Sequence, residues 1–389
     1  MKKLLEKMSV LGLSLMLIAS YSISPVLPQM KTFYQGFAPD QVELLVSVPS
    51  FFVVATLLVS PLISRKLNEH QMIVIGLLTM AVAGVAPVFY QDYTFVLVSR
   101  MLFGTGLGLM NSHAIAIISH YYSGRERVQM LGYRGSAEVV GAAFFIILVG
   151  QLLRLEWHAV FAVYGFALLI LLCYLLFVPK KEMGTVEVEP MSASAPEKLS
   201  ASDRWVTLVA AVIAGLVICT NTVINMRTAE VVLQAGFGDA TQASLVLSAQ
   251  QLIGIVAGIA FAPMLARLKG RLMGVSLIGL ALALLGMTWA GNLVLLAVAE
   301  ILSGFFYSII ITEVFHDLSE QISLHLLQRA TALAVVGCNV GSAMTPYVLK
   351  GLSTVGIVHR GAFFFFAVVL SILGLVLLLL YRKPAKKPV

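Results

Sequence analysis

Apolar residues fill this chain in blocks of about twenty, and short polar turns separate the blocks. A helix needs about 20 mainly apolar residues to cross a bilayer core. Twelve blocks meet that length: 9–29, 41–63, 72–90, 94–116, 129–152, 157–178, 205–226, 242–264, 272–290, 292–315, 328–349 and 361–381. The seventh, Trp205 to Met226, has no charge in 22 residues, and the twelfth, Gly361 to Tyr381, has none in 21. Spans nine and ten are parted only by Gly291-Asn292. The pattern predicts an all-α integral membrane protein.

One stretch breaks the rhythm. Residues 179–204 are polar and rich in Ser, Ala, Pro and Glu, as in Met191-Ser-Ala-Ser-Ala-Pro196. They are expected to form a cytoplasmic linker. Six spans fall on each side, giving an N-terminal bundle over 1–178 and a C-terminal bundle over 205–389. The two sides repeat weakly. Ser60-Pro61-Leu62-Ile63-Ser64-Arg65 follows span two, and Ala262-Pro263-Met264-Leu265-Ala266-Arg267 follows span eight. Arg100 and Gly104 in span four match Glu300 and Gly304 in span ten at an offset of 200. Two pseudo-symmetric six-helix bundles are the simplest origin of these matches.

Composition supports a membrane solvent rather than a large core. The chain is 59% hydrophobic and 12% charged, with mean hydropathy +0.94, against about 25% charged residues in soluble domains. The net charge of +7 would suit nucleic acid, but the basic residues sit between apolar blocks and act as topology signals. With the N-terminus placed in the cytoplasm, 19 Lys and Arg fall inside and 5 outside. The positive-inside bias therefore predicts cytoplasmic termini in a multi-pass plasma-membrane protein. Cys173, Cys219 and Cys338 all fall in apolar blocks and are expected to pack as small apolar groups. Met1-Lys2-Lys3 and the following apolar run imitate a signal peptide, but the run continues through Pro25 and Pro28 and is taken as span one.

The layout resembles the major facilitator superfamily across nearly the whole chain. Ser60 to Arg65 sits where that family has its loop motif, with Ser64 in place of the aspartate and Leu67 in place of the second glycine. Arg100-x-x-x-Gly104-x-Gly106 looks like the family's span-four motif, and Trp157 with Phe161 like its entry to span six. Ser24-Pro25-Val26-Leu27-Pro28 is similar to a signature of the twelve-span drug:proton antiporters. Span five departs from that group, carrying Gly135-Ser136-Ala137-Glu138 without its Gly-Pro pattern. The resemblance implies alternating access, with the halves rocking around a midplane site, and a conformational role for Ser64, Arg65 and Arg267.

Intramembrane ionisable residues are the first functional candidates. At 1.5 Å per residue, Arg100 lies about 9 Å deep, Glu138 about 14 Å and Glu300 about 12 Å. Arg100 is expected to face a central cavity, with Glu138 a protonatable group near it. The alternative is a static pair, since Arg134 and Glu138 are spaced i, i+4. Glu300 is the C-terminal candidate for proton coupling; its alternative is a helix-packing hydrogen bond. Neutral polar groups sketch a substrate path: Tyr21, Asn221, Asn225, Ser248, Gln251, Tyr307 and Asn339, each equally open to interhelical bonding. His113, His120, Glu313, His316 and Asp317 are taken as interfacial rather than metal-binding. No nucleophile–base, metal or nucleotide motif occurs, so the expectation is a transporter without cofactor, acting as a monomer. Its cargo is expected to be a small organic compound, exported in exchange for protons; a sugar or metabolite carrier is the alternative, and a channel or receptor is disfavoured.

Overall fold

The computed structural model describes residues 2–122, 124–178 and 200–380. Most of the expected linker, 179–199, lies outside the described residues, as do the side chains of Pro61 and His120. Ten stretches among the described residues are long and apolar enough to cross a membrane, eleven with one bent pair counted as a span. One of them, Ala240–Thr288, has 49 residues, about 73 Å of helix against a core of about 30 Å. It contains two helices, Ala240–Leu268 and Leu272–Thr288, joined by the Lys269–Arg271 turn. Twelve crossings result, at the places the apolar blocks predict.

Span one is the bent pair, Leu5–Leu15 and Ala19–Phe33, at 48°. Pro25 and Pro28 each lack an N–H, and the chain there passes through short 3-10 turns before Leu27–Phe33. Spans two to six are Pro39–Ile63, Glu69–Val85, Tyr93–Tyr121, Gly124–Leu152 and Trp157–Phe177, the last opening as a 3-10 segment to Gly165. Span seven is Ala201–Gln234, eight and nine are the pair above, and ten to twelve are Leu293–Gln321, Leu324–Thr354 and Arg360–Leu380. Several helices overrun their apolar blocks. Span seven continues eight residues past Met226 and carries Arg227 and Glu230 with it.

The repeat is visible in the packing. Asp92 caps span four by accepting from the Phe95 N–H at 3.1 Å; Asn292 caps span ten by accepting from the Leu295 N–H at 2.9 Å. A Cβ on Gly104 would run into the Pro49 backbone of span two, and one on Gly304 into the Gln250 backbone of span eight. Gly141 lies equally tight against Leu15 of span one, and Gly341 against Gly215 of span seven. Each glycine lets two helix backbones touch, the usual means of close association in lipid. Two glycine contacts in the first half thus recur in the second at offsets of 200 or 201.

Spans two and eleven meet across the halves, and so do spans five and eight. Burial along spans two, five and eight changes from end to end. In span two, Val42 to Ser50 are mostly buried, while Leu58, Val59 and Leu62 are exposed. In span eight, Ala240 to Gln250 are mostly buried, while Ile255, Val256 and Ile259 are exposed. In span five, Tyr133 and Val140 are exposed and Phe145, Ile146 and Val149 buried. The halves therefore separate toward the face that carries both described chain ends. They close toward the opposite, far face.

Candidate functional site

Polar contacts join the halves from the midplane to the far face. At the midplane, the Tyr21 hydroxyl of span one contacts both Ser50 of span two and Ser342 of span eleven. Ser342 also shares a hydrogen bond with Thr222 of span seven at 2.9 Å. Beside them, Ser248 Oγ donates to the Ser244 carbonyl at 2.7 Å and the Ala143 carbonyl of span five at 3.3 Å. Ser248 thus sits in the seam between spans five and eight.

The far face is closed by charges. Glu43 of span two is buried, and its Oε1 lies 2.8 Å from Lys31 and 2.7 Å from Arg227 of the other half. Arg227 also holds Glu230 at 2.7 Å. Lys31 reaches Glu230 at 3.4 Å, and His359 Nδ1 stands 3.1 Å from its other oxygen. Lys350 pairs with Asp40 at 3.0 Å, again across the halves. None of these residues was among the sequence candidates. Lys31, Arg227 and Lys350 count in the sequence only as outside charges, and Glu43 stands two residues inside its block. The available signal was the i, i+3 spacing of two carboxylates, Asp40 and Glu43, at the start of span two and of the opposite charges Arg227 and Glu230 near the end of span seven.

Arg100 is fully buried and lies inside its own half. Its Nε donates to the Leu45 carbonyl at 3.0 Å and its Nη2 to the Ser20 carbonyl at 2.8 Å. The guanidinium also lies over the rings of Phe103 at 4.8 Å and Tyr164 at 5.2 Å. Carbonyl dipoles and ring faces disperse the cation where no water reaches. The structure does not bring Arg100 and Glu138 together. Glu138 instead pairs with Arg134 at 2.5 Å on the same helix face, both half-buried. The local i, i+4 partner outcompetes a cation on another helix, because it needs no helix movement.

Glu300 is the C-terminal counterpart and is also fully buried. Its Oε1 accepts from Thr228 Oγ1 of span seven at 3.0 Å, and its Oε2 has no hydrogen-bond partner. Among the described residues no cation lies within ion-pair reach. One turn on, Ser303 accepts from Gln250 Nε2 at 3.3 Å, and the same nitrogen reaches Asn221 Oδ1 at 3.1 Å. Gln250, overlooked in favour of its half-buried neighbour Gln251, is thus the span-eight residue that ties seven and ten together. Asn225 and Asn339 turn back on their own helices, to the Asn221 carbonyl at 2.8 Å and the Val335 carbonyl at 3.0 Å. Tyr307 is half-buried against the main core. Arg65 and Arg267 are exposed at the open face, and Ser64 is half-buried beside Arg65. His113 is buried in span four with neither ring nitrogen bonded.

Charge-holding bundles that meet at one face and part at the other are the geometry of a rocking carrier. The family model for the Major Facilitator Superfamily matches the chain twice, over residues 10–228 and 210–389. The chain belongs to the Major Facilitator Superfamily. A structure of a variant of the peptide transporter POT superposes with TM-score 0.75 at 12% identity, covering 96% of this chain and 93% of that one. A bacterial homologue of the human lysosomal transporter Spinster, in an inward-facing and unoccupied conformation, superposes with TM-score 0.70 at 13% identity, covering 96% and 95%. A triacylglyceride transporter of Mycolicibacterium smegmatis is 25% identical over 131 residues, 32% of this chain. The match spans 23% of that relative's length. The chain is therefore a multi-pass membrane transporter rather than an enzyme.

Proposed function

We propose that this chain is a proton-coupled secondary transporter of a small organic compound, working by alternating access between bundles at 1–178 and 205–389. The observation that supports this is the pairing of a far-face charge seal with a buried carboxyl, Glu300, that has no cation. An uncompensated carboxylate at that depth is costly, so Glu300 is suited to carry a proton through the cycle. Its hydrogen bond to Thr228 links that proton to span seven, which also bears Arg227 and Glu230 of the seal. Loss or gain of a proton at Glu300 then acts on the helix that opens or closes the far face. The positive-inside bias assigns the open face to the cytoplasm and the sealed face to the outside, so the conformation is inward-facing. In this reading the cargo is exported against proton entry, by a monomer within the plasma membrane.

Glu138 and Arg134 take no part in this proposal beyond holding span five. Ser64, Arg65 and Arg267 stand at the parted face, where a second seal would form when the halves rock.

Reconstitution in liposomes with an imposed pH gradient tests the proposal, with amphipathic dyes, sugars and amino acids as cargo. The expected result is gradient-dependent movement of a dye, lost at least tenfold in Glu300→Gln while binding persists. Equal movement with and without the gradient would refute proton coupling, and wild-type coupling in Glu300→Gln would remove Glu300 from it.

A further inference from the structure

Glu300 shares its neighbourhood with two other idle acceptors. Asn225 of span seven and Gln250 of span eight are buried. Asn225 Oδ1 and Gln250 Oε1, like Glu300 Oε2, have no hydrogen-bond partner among the described residues. Both amides are oriented by their nitrogens. Asn225 Nδ2 donates to the Asn221 carbonyl at 2.8 Å. Gln250 Nε2 donates to Asn221 Oδ1 at 3.1 Å and to Ser303 Oγ at 3.3 Å. Ser303 in turn spends its proton on the Glu300 carbonyl at 2.7 Å. The amide oxygens are thereby left as acceptors without donors.

Two ties between helices place these oxygens in one layer. Gln250 packs against Gly304, one turn from Glu300, and bonds to Asn221 at one end of the layer. Thr228 bonds to Glu300 at 3.0 Å at the other end. Asn221, Asn225 and Thr228 stand at i, i+4 and i+7, on one face of span seven. Asn225 therefore lies between the ties, about 6 Å along the axis from Asn221 and about 4.5 Å from Thr228. The Thr228 hydroxyl donates to Glu300 and keeps acceptor capacity of its own. Spans seven, eight and ten thus each bring an idle oxygen to this layer.

The repeat shows that packing does not require such a set. At the matching places the first half carries Pro25, Pro28 and Pro49, and its central charge is the cation Arg100. In the second half the central charge is a carboxylate among acceptors. Unmatched buried acceptors are costly. A water molecule has two protons for three oxygens and leaves the carboxylate charge uncompensated. A metal cation meets both needs, and oxygen-only ligands suit hard ions. One carboxylate balances one charge, whereas a divalent ion would leave a buried excess.

We infer that, once Glu300 has lost its proton, spans seven, eight and ten bind a dehydrated alkali cation, sodium or potassium. Its ligands are Glu300 Oε2, Asn225 Oδ1, Gln250 Oε1 and Thr228 Oγ1. Ion and proton then exclude each other at one carboxylate. This rests on the transport reading only for the statement that the exchange drives the cycle; ion binding stands apart from it.

The test is equilibrium binding of radiolabelled sodium, and of rubidium in place of potassium, to the full chain in nanodiscs in a choline medium. One ion per chain is expected, with saturation by at least one of the two. Binding should weaken at least tenfold in Glu300→Gln and at least fivefold in Asn225→Ala. It should also weaken on acidification from about pH 8.5 to about pH 5.5, as protons occupy the carboxylate. Calcium should compete poorly. Saturation by neither ion, equal competition by calcium, indifference to pH, or unchanged binding in both variants would overturn the assignment. Far-UV circular dichroism guards against misfolding of the variants. The unaltered chain gives a second readout: the bound ion should raise its unfolding temperature above that in choline at equal ionic strength. No rise would count against the site. Ion binding without gradient-driven movement of any cargo would refute the transport reading and leave the site intact. Proton-driven movement in a chain that binds neither ion would do the reverse.

Discussion

Arg100 and Glu300 occupy one address in two copies of a bundle, yet their surroundings are opposite. Arg100 is held by two carbonyls and two aromatic rings. Glu300 has a single hydroxyl on one oxygen and nothing on the other. The glycine contacts and helix caps around them match from half to half, so packing does not account for the difference. Arg100 fastens spans one and two through Nε and Nη2, although its Nη1 has no hydrogen-bond partner. Glu300 also leaves one polar atom idle, but it is a carboxylate oxygen, which can take up a proton. The difference between the copies is therefore one of anchoring, two carbonyls on other helices for Arg100 against one hydroxyl for Glu300.

Substitution by leucine gives the largest contrast. Arg100→Leu strands the Leu45 and Ser20 carbonyls and should cost about 2–3 kcal/mol, seen as a lower unfolding temperature in detergent. Glu300→Leu should be neutral or stabilising, because an incompletely satisfied buried polar group gives way to an apolar one. Equal losses in the two variants would erase the distinction between the halves.

Packing tests the likeness instead. Gly141→Val and Gly341→Val each press a side chain into the facing helix backbone, and each should cost about 1–3 kcal/mol. Unfolding temperatures that fall together would support the duplicated contact; a fall in one alone would break it. At the caps, Asp92→Ala and Asn292→Ala should each lower stability by about 1 kcal/mol, read from the same melts. The smallest effect belongs to span five. Glu138→Gln removes one i, i+4 pair, about 0.3–0.5 kcal/mol, and should leave gradient-driven transport within twofold of the unaltered chain. A tenfold loss of transport would return Glu138 to the coupling machinery.

The twelve crossings were legible because bilayer thickness imposes a length that each apolar block states locally. The repeat was legible at Arg100 and Glu300 for the same reason: charge is rare inside such blocks and its spacing stands out. What lay hidden were contacts between distant parts of the chain. Lys350 and Asp40 are 310 residues apart, and neither departs from the polarity expected of a span end. Gln250 and Gln251 are adjacent on the chain, and only the position of span ten decides which faces inward. Arg100 looked like a cavity charge because its sequence shows its cost. The carbonyls that offset that cost come from the bent region of span one and from span two, and no local pattern announces them.

The far-face seal has a consequence for the speed of the cycle. Its carboxylates and cations lie at a rim, where water can enter as soon as the halves begin to part. Separating an apolar contact of that size would expose surface with no compensation. Separating charges at a rim lets each one take up its own hydration shell, so part of the opening cost is returned as it is incurred. Dissolved ions screen charges mainly beyond a Debye length of about 8 Å at physiological ionic strength, so they act little on the closed contact pairs, such as Glu43–Arg227 at 2.7 Å, and more on the charges once parted. Salt on the sealed side should therefore slow re-closure of the far face more than it speeds the first parting of the pairs.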